Sequence, residues 1–260
     1  MKTLNTIRST SLLLLTLLVG CNSAASNTPT DPTPENGVLQ GKVLKANGDP
    51  VVGAQIFIQP ALFSGFVKAR TDSSGKYRSP QLSSAAAPYE ADAFYEVDYH
   101  GRHYCVRMSG ETPEDEDVFN PTHGATRNFR WKMTGHMASQ HGEVWGGSLQ
   151  FTNETATPIP WGSSIKLRLE PDGPLIDGSQ GTMLERTVKL EQNNFWRDIP
   201  VGRYRVTAQL QEEDGSWTPI RLRVWRVDDE PQNEATLLFD GFNSCGHTGS
   251  FGFTTVIFSR

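Results

Sequence analysis

Two tight-turn signals, Asn47-Gly48-Asp49-Pro50 and Asp72-Ser73-Ser74-Gly75, constrain the fold most. Asn-Gly and Asp-x-x-Gly steps favour chain reversals, because glycine adopts positive φ freely and an Asp side chain caps its own turn. The residues between them are strand-like. Val38 to Val43 alternates faces, Val51 to Ile58 is β-branched and apolar, Val67 to Thr71 is a third run, and Lys76-Tyr77-Arg78 starts a fourth. Such runs, bounded by turn residues, read as strands. The texture continues to the C-terminus, with 24 glycines and 16 prolines supplying turns, and no helix-length period appears after the first segment. The chain is expected to be all-β.

The second half repeats the pattern more loosely. Ser148 to Phe151 is a strand, Ser164 to Leu169 alternates cleanly, and Thr187 to Leu190 is another run. Phe195 to Thr207 follows, carrying Ile199-Pro200-Val201-Gly202-Arg203-Tyr204-Arg205-Val206. The repetition predicts two β-sandwiches in tandem, over 37–134 and 142–260, joined by a connector at 135–141.

A family resemblance rests on these residues. Gly41, Val43, Gly48, Pro50, Val51, Gly53, Ala54, Ile56, Thr71, Asp72, Gly75 and Tyr77 stand in the order of the carboxypeptidase regulatory-like module, and the first half resembles that family. The resemblance implies a transthyretin-like, Ig-like sandwich of about seven strands. It also implies that these residues are architectural rather than catalytic. Ile199 to Val206 is similar to the family's L-P-x-G-x-Y signature, but Gln192-Asn193-Asn194-Phe195 replaces the T-D-x-x-G-x-Y turn, so the second module is a divergent relative.

The N-terminus carries an address. Lys2 and Arg8 precede an apolar run from Leu12 to Val19, far shorter than the roughly 20 residues that a spanning helix needs. Leu18-Val19-Gly20-Cys21 resembles the bacterial lipobox. The resemblance implies a signal peptide over 1–20 and lipidation of Cys21, so that the protein is anchored to a membrane by acyl chains without spanning it. Asn22, where an Asp would retain the protein, favours the outer membrane by the same resemblance. Residues 21–36 are polar and proline-rich and read as a flexible tether that holds the folded part off the bilayer. The expected localisation is the bacterial cell envelope.

A net charge of −5 with no basic block argues against a nucleic-acid partner. With Cys21 used by the lipid, Cys105 and Cys245 form an even pair in an oxidising compartment, and a disulfide between them is expected. Tyr95 to Val106 reads as a hairpin with His100-Gly101 at its tip. That register pairs Asp98 with His103 and Glu96 with Cys105 on one face, and turns Tyr95, Val97, Tyr104 and Val106 toward the core. A Cys105–Cys245 bond would then bring His247 over the polar face, with His136 and His141 of the connector in reach.

Three classes of function follow. The leading one is non-catalytic binding, adhesion or scaffolding in the envelope, with no cofactor and with an envelope protein or glycan as partner. The second is a divalent transition metal held by His103, His247, His136 or His141, and Asp98, since imidazole and carboxylate suit zinc, copper or iron. No H-E-x-x-H or H-x-H supports it. The third is a carbohydrate module using Trp217, at the tip of a Glu213-Asp214-Gly215-Ser216 hairpin. The other tryptophans, Trp131, Trp145, Trp161, Trp196 and Trp225, are expected mostly to pack in the core or at strand edges. Glu114 to Asp117 lacks calcium-loop spacing and reads as a solvated loop. No nucleophile elbow or phosphate loop is present, and no catalytic residue is assigned.

Overall fold

Among the described residues, the helical elements are three single 3₁₀ turns, and all other regular structure is strand. The structure is a computed structural model, and it describes residues 33–138, 141–192, 194–246 and 251–260. The lipidation site Cys21 and the metal candidate His247 lie outside the described residues.

The first half contains β1 (Leu39–Lys45), β2 (Gln55–Pro60), β3 (Val67–Arg70), β4 (Lys76–Arg78), β5 (Tyr89–Tyr99), β6 (Arg102–Arg107), β7 (Ser109–Gly110), β8 (Ala125–Thr126) and β9 (Phe129–Trp131). They form two sheets. One has the order β4-β1-β9-β7, with β8 also on β1, and the other has the order β3-β2-β5-β6. The inner faces bury Leu39, Val43, Ile56, Ile58, Tyr77, Ala93, Tyr104, Phe129 and Trp131 in one core. Alternation sets which side chains enter, because successive strand residues face opposite ways.

The turn residues act as their chemistry predicts. Gly75 sits at φ +75°, and a Cβ there would stand 2.7 Å from the Val43 carbonyl oxygen. The Asp72 carboxylate accepts from Ser74 N at 2.8 Å, Ser74 Oγ at 2.7 Å and Lys76 N at 3.0 Å. These bonds, the Ser74 hydroxyl first, hold its carboxyl below the ordinary value. Gly41 is needed for space: a Cβ would meet the Arg127 carbonyl oxygen at 1.8 Å. That same oxygen accepts a 2.7 Å bond from the Tyr77 hydroxyl.

The acidic run differs from the expected solvated loop. Asp115 is buried and accepts from Thr112 N at 2.9 Å and Asn128 N at 2.8 Å, while Glu116 accepts from Gly110 N at 3.0 Å. These carboxylates satisfy backbone donors that the short β7–β9 pairing leaves without ladder partners.

The second half contains β10 (Gly147–Asn153), β11 (Ser164–Pro171), β12 (Leu184–Lys189), β13 (Phe195–Ile199), β14 (Arg203–Gln211), β15 (Trp217–Val224), β16 (Ala235–Leu238) and β17 (Phe253–Ser259). All eight belong to one sheet of order β12-β11-β14-β15-β17-β10-β13, with β16 also on β14. β15 makes the sheet double back. Its first residues pair with β14 (Ala208↔Ile220) and its last with β17 (Val224↔Val256). A strand that changes partner along its length forms the corner between two leaves of a sandwich. The leaves enclose Leu149, Phe151, Ile165, Leu167, Tyr204, Val206, Leu222, Leu237, Val256 and Phe258. The Ile199–Val206 segment packs here, with the Tyr204 hydroxyl donating to the Pro200 carbonyl at 2.6 Å.

Residues 34–260 group as one compact unit, and one apolar cluster includes residues of both halves. Among the described residues, no strand of β1–β9 pairs with a strand of β10–β17. The halves meet instead through side chains and loops. The Asp198 carboxylate, on a residue at φ +65°, accepts from Gly135 N at 2.9 Å and Gly146 N at 3.2 Å, fastening the start of the connector beside the residue that precedes β10.

Candidate functional site

The β5–β6 hairpin has the expected register, with Glu96 opposite Cys105 and Asp98 opposite His103. Its tip uses His100 at φ +48° and Gly101 at φ +77°. Cys105 and Cys245 are disulfide-bonded, with Cα atoms 5.3 Å apart and 140 residues between them in sequence. Cys105 N donates to the Phe242 carbonyl at 2.7 Å, and Gln55 Nε2 donates to Glu96 Oε2 at 2.7 Å beneath the bridge. Tyr104, on the opposite face of β6, buries its ring against Gly241, where a Cβ would stand 2.6 Å from the ring. Its hydroxyl donates to Phe239 O at 2.9 Å, and burial pushes that hydroxyl's pKa up. Arg102 Nη1 binds Asp240 Oδ1 at 2.7 Å. The Tyr99 hydroxyl donates to Pro174 O at 2.8 Å and accepts from Arg203 N at 2.9 Å. These contacts clasp the hairpin to the second half.

The metal candidates are only partly assembled. His103 Nδ1 lies 2.8 Å from Asp98 Oδ1, and its Nε2 lies 3.9 Å from Glu96 Oε1. His136 and His141 are exposed in the connector. Among the described residues, no group of three or more His, Cys, Asp and Glu is placed to hold a metal ion. At the hairpin, His103 has a carboxylate partner directly across the ladder.

Trp217 pairs with Gln211 beside the turn of its hairpin and is half-buried, with Lys166 Nζ 4.2 Å from the ring centroid. One face of the ring is thus covered by a cation, as Arg226 covers one face of Trp225 at 4.3 Å. The tip itself is held by the Asp214 carboxylate, which accepts from Ser216 N at 2.9 Å and Ser216 Oγ at 2.6 Å.

A groove that the sequence does not reveal lies on the outer face of the second half. It has a volume of about 440 Å³ and is lined by Gln150, Thr152, Trp161, Gln192, Trp225, Thr255 and Ile257, with Phe151 beneath. Its floor comes from two adjacent parallel strands: Gln150 of β10 is opposite Thr255 of β17, and Thr152 is opposite Ile257. The Thr255 hydroxyl donates to Gln150 Oε1 at 3.4 Å. Trp161 and Trp225 line the groove from loops and are 54% and 48% exposed, whereas Trp131, Trp145 and Trp196 are buried. Each loop is fixed by backbone bonds, Gly162 N to Leu190 O at 2.8 Å beside Trp161 and Trp225 N to Thr255 O at 3.0 Å. Beyond the groove, Arg223 Nε binds Glu154 Oε2 at 2.7 Å. That bond holds the Glu154 carboxyl below its ordinary value, so the pair stays ionised and mutually neutralised.

No family model matches the chain, and no curated protein matches it in sequence. Among solved structures it is similar to a Streptococcal ancillary pilin, at 11% identity and a TM-score of 0.25, over 86% of this chain and 63% of that one. The chain therefore spans under two thirds of that pilin. It is also similar to a DUF3823 family protein from Bacteroides ovatus (12% identity, TM-score 0.22, 78% of this chain and 98% of that one). A form of the major pilin subunit of Bacillus cereus aligns at 10% identity and a TM-score of 0.22, over 87% of this chain and 100% of that one. At TM-scores this low, an assignment of function has to come from the chain's own residues.

Proposed function

We propose that this chain is a cell-envelope lipoprotein, anchored through Cys21 at the outer membrane, whose two sandwich modules, 37–134 and 142–260, serve a non-catalytic binding, adhesion or scaffolding role. The observation that carries the proposal is the Cys105–Cys245 bond, which joins β6 to the loop before β17 across 140 residues. Disulfides persist in oxidising compartments, which suits an envelope location. A covalent tie between halves, backed by the Tyr104, Tyr99 and Arg102 bonds, suits a body that keeps one shape while presenting its loops. The lipobox-like Leu18-Val19-Gly20-Cys21 and the polar tether support the anchor.

The test is expression of the full chain and of Cys21→Ser in a diderm bacterium, with fractionation, metabolic labelling with a palmitate analogue, and cross-linking on intact cells. The full chain is expected in the outer-membrane fraction with label and with a cross-linked envelope partner, and the Cys21→Ser chain without label and outside the membrane fraction. An unlabelled wild-type chain, or one that stays cytosolic, overturns the anchor.

A further inference from the structure

We infer that the groove between Trp161 and Trp225 is a binding site for an uncharged glycan, with the flat apolar face of a sugar ring laid on indole and its hydroxyls met by the amides and hydroxyls of the floor. The inference deepens the proposed binding role and rests on it.

Among the described residues, every side chain that lines the groove is uncharged: two indoles, two primary amides (Gln150 and Gln192), two threonine hydroxyls (Thr152 and Thr255) and Ile257, with Phe151 below. The nearby cations are engaged with the protein itself: Arg223 beside the floor is paired with Glu154, and the Arg226 guanidinium lies 4.3 Å from the centroid of the Trp225 ring and covers one face of it. A purely apolar ligand would leave amides and hydroxyls without water or partners, which is costly. A pyranose matches both halves of this surface. Its C–H face is apolar, and its rim of hydroxyls both donates and accepts, as do primary amides and threonine hydroxyls. Indole offers a broad apolar face with a polar N–H at its edge.

Trp161 and Trp225 stand about half exposed at one cavity while Trp131, Trp145 and Trp196 are buried. Paired large aromatics left open at a concave, polar-floored site indicate a ligand, where a lone exposed side chain does not. The volume lies in the small-ligand class of about 300–1,000 Å³. The site is also rigid. Both indoles sit on loops tied by backbone bonds, and the floor is a parallel strand pair, so little ordering remains when a ligand arrives. The same sheet face continues past Gln150 to Phe195 and Phe253, whose rings meet edge to face at 5.9 Å. That strip extends the platform for a chain of more than one sugar. Trp217 does not line this groove and is not part of the site.

The test uses the full chain in a detergent without a sugar headgroup, titrated with neutral oligosaccharides of glucose, mannose, xylose and N-acetylglucosamine, and followed by indole fluorescence and calorimetry. Saturable binding of at least one probe is expected. Trp161→Ala and Trp225→Ala should each weaken it about tenfold or more in Kd, while Trp217→Ala leaves it unchanged. Both positions are exposed, so the variants are expected to fold, and a matching melting curve checks this. Three outcomes overturn the inference: no saturable response to any probe up to about 10 mM, binding indifferent to both substitutions, or a response confined to uronate or sulfated sugars. So does the finding that both substitutions abolish a concentration-dependent dimer instead, which makes the groove a contact between copies. In each of these cases, intact palmitate labelling and a cross-linked partner would leave the proposed envelope role standing.

Discussion

The outer face of the β3-β2-β5-β6 sheet and the outer face of the β13-β10-β17-β15 leaf begin with similar chemistry. The first carries Phe57, Phe94, Gln55 and Glu96, and the second carries Phe195, Phe253, Gln150 and Arg223. The first is roofed by the chain itself. The segment from Phe242 to Cys245 crosses it, and Phe94 and Cys105 are 1% and 2% exposed although neither belongs to the central core. The second has no such roof among the described residues, and Trp161, Trp225 and Phe253 meet water. An apolar face covered by its own chain adds stability. A face left open forgoes that burial, about 25 cal/mol for each Å² of apolar surface, and becomes available to a ligand.

Replacing Cys105 and Cys245 by serine removes the cross-link and should destabilise the chain by up to about 5 kcal/mol, the chain-entropy value for a loop of this length. Equilibrium denaturation in urea reads the loss. Glycan binding measured on the fraction that remains folded should persist, because the groove takes nothing from the bridge. Loss of binding in the folded fraction would show that the two faces are coupled.

A tryptophan pair sharpens the contrast. Trp131→Ala should cost about 3–5 kcal/mol, since its ring is buried in the core, whereas Trp161→Ala should stay within about 0.5 kcal/mol. Equal losses would mean that the indole of Trp161 is structural. Gly241→Ala probes the clasp at a smaller scale. The new methyl would enter the space of the Tyr104 ring, and overpacking of about 1–3 kcal/mol is expected by thermal or chemical unfolding. A neutral outcome would show that the loop after Phe239 yields freely.

The smallest effect is acid sensitivity at the hairpin tip. Partial burial, and then the Arg203 guanidinium, push the His100 imidazole below its ordinary 6.5. The unfolded chain therefore binds the proton more readily. Stability from this group is present above pH 6.5 and is lost as pH falls through the lower folded value. His100→Asn, a residue that tolerates positive φ, should flatten the unfolding midpoint against pH in that window. An unchanged slope would assign the acid response to other groups.

Local chemistry made much of this legible in advance. Asp72-Ser73-Ser74-Gly75 closes its own turn, so the residues that predict it also execute it. The His100-Gly101 tip fixes the register of β5 and β6, and the register puts Asp98 beside His103. The acidic run was less legible, because Asp115 is recruited by Asn128 N, a donor that only the fold brings near.

The first four strands, the turns between them, the β5–β6 register and the pairing of Cys105 with Cys245 were legible along the chain, because each depends on near neighbours or on a count of two cysteines, whereas the short β7, β8 and β9 and the C-terminal β15, β16 and β17 were not. Tertiary structure alone decided which tryptophans meet water. Trp161 lies in the loop after β10 and Trp225 just past β15, and nothing local distinguishes them from Trp131 or Trp196. They line one groove because β10 and β17, about a hundred residues apart in the chain, pair in parallel, and that pairing is a non-local contact that no window of sequence contains.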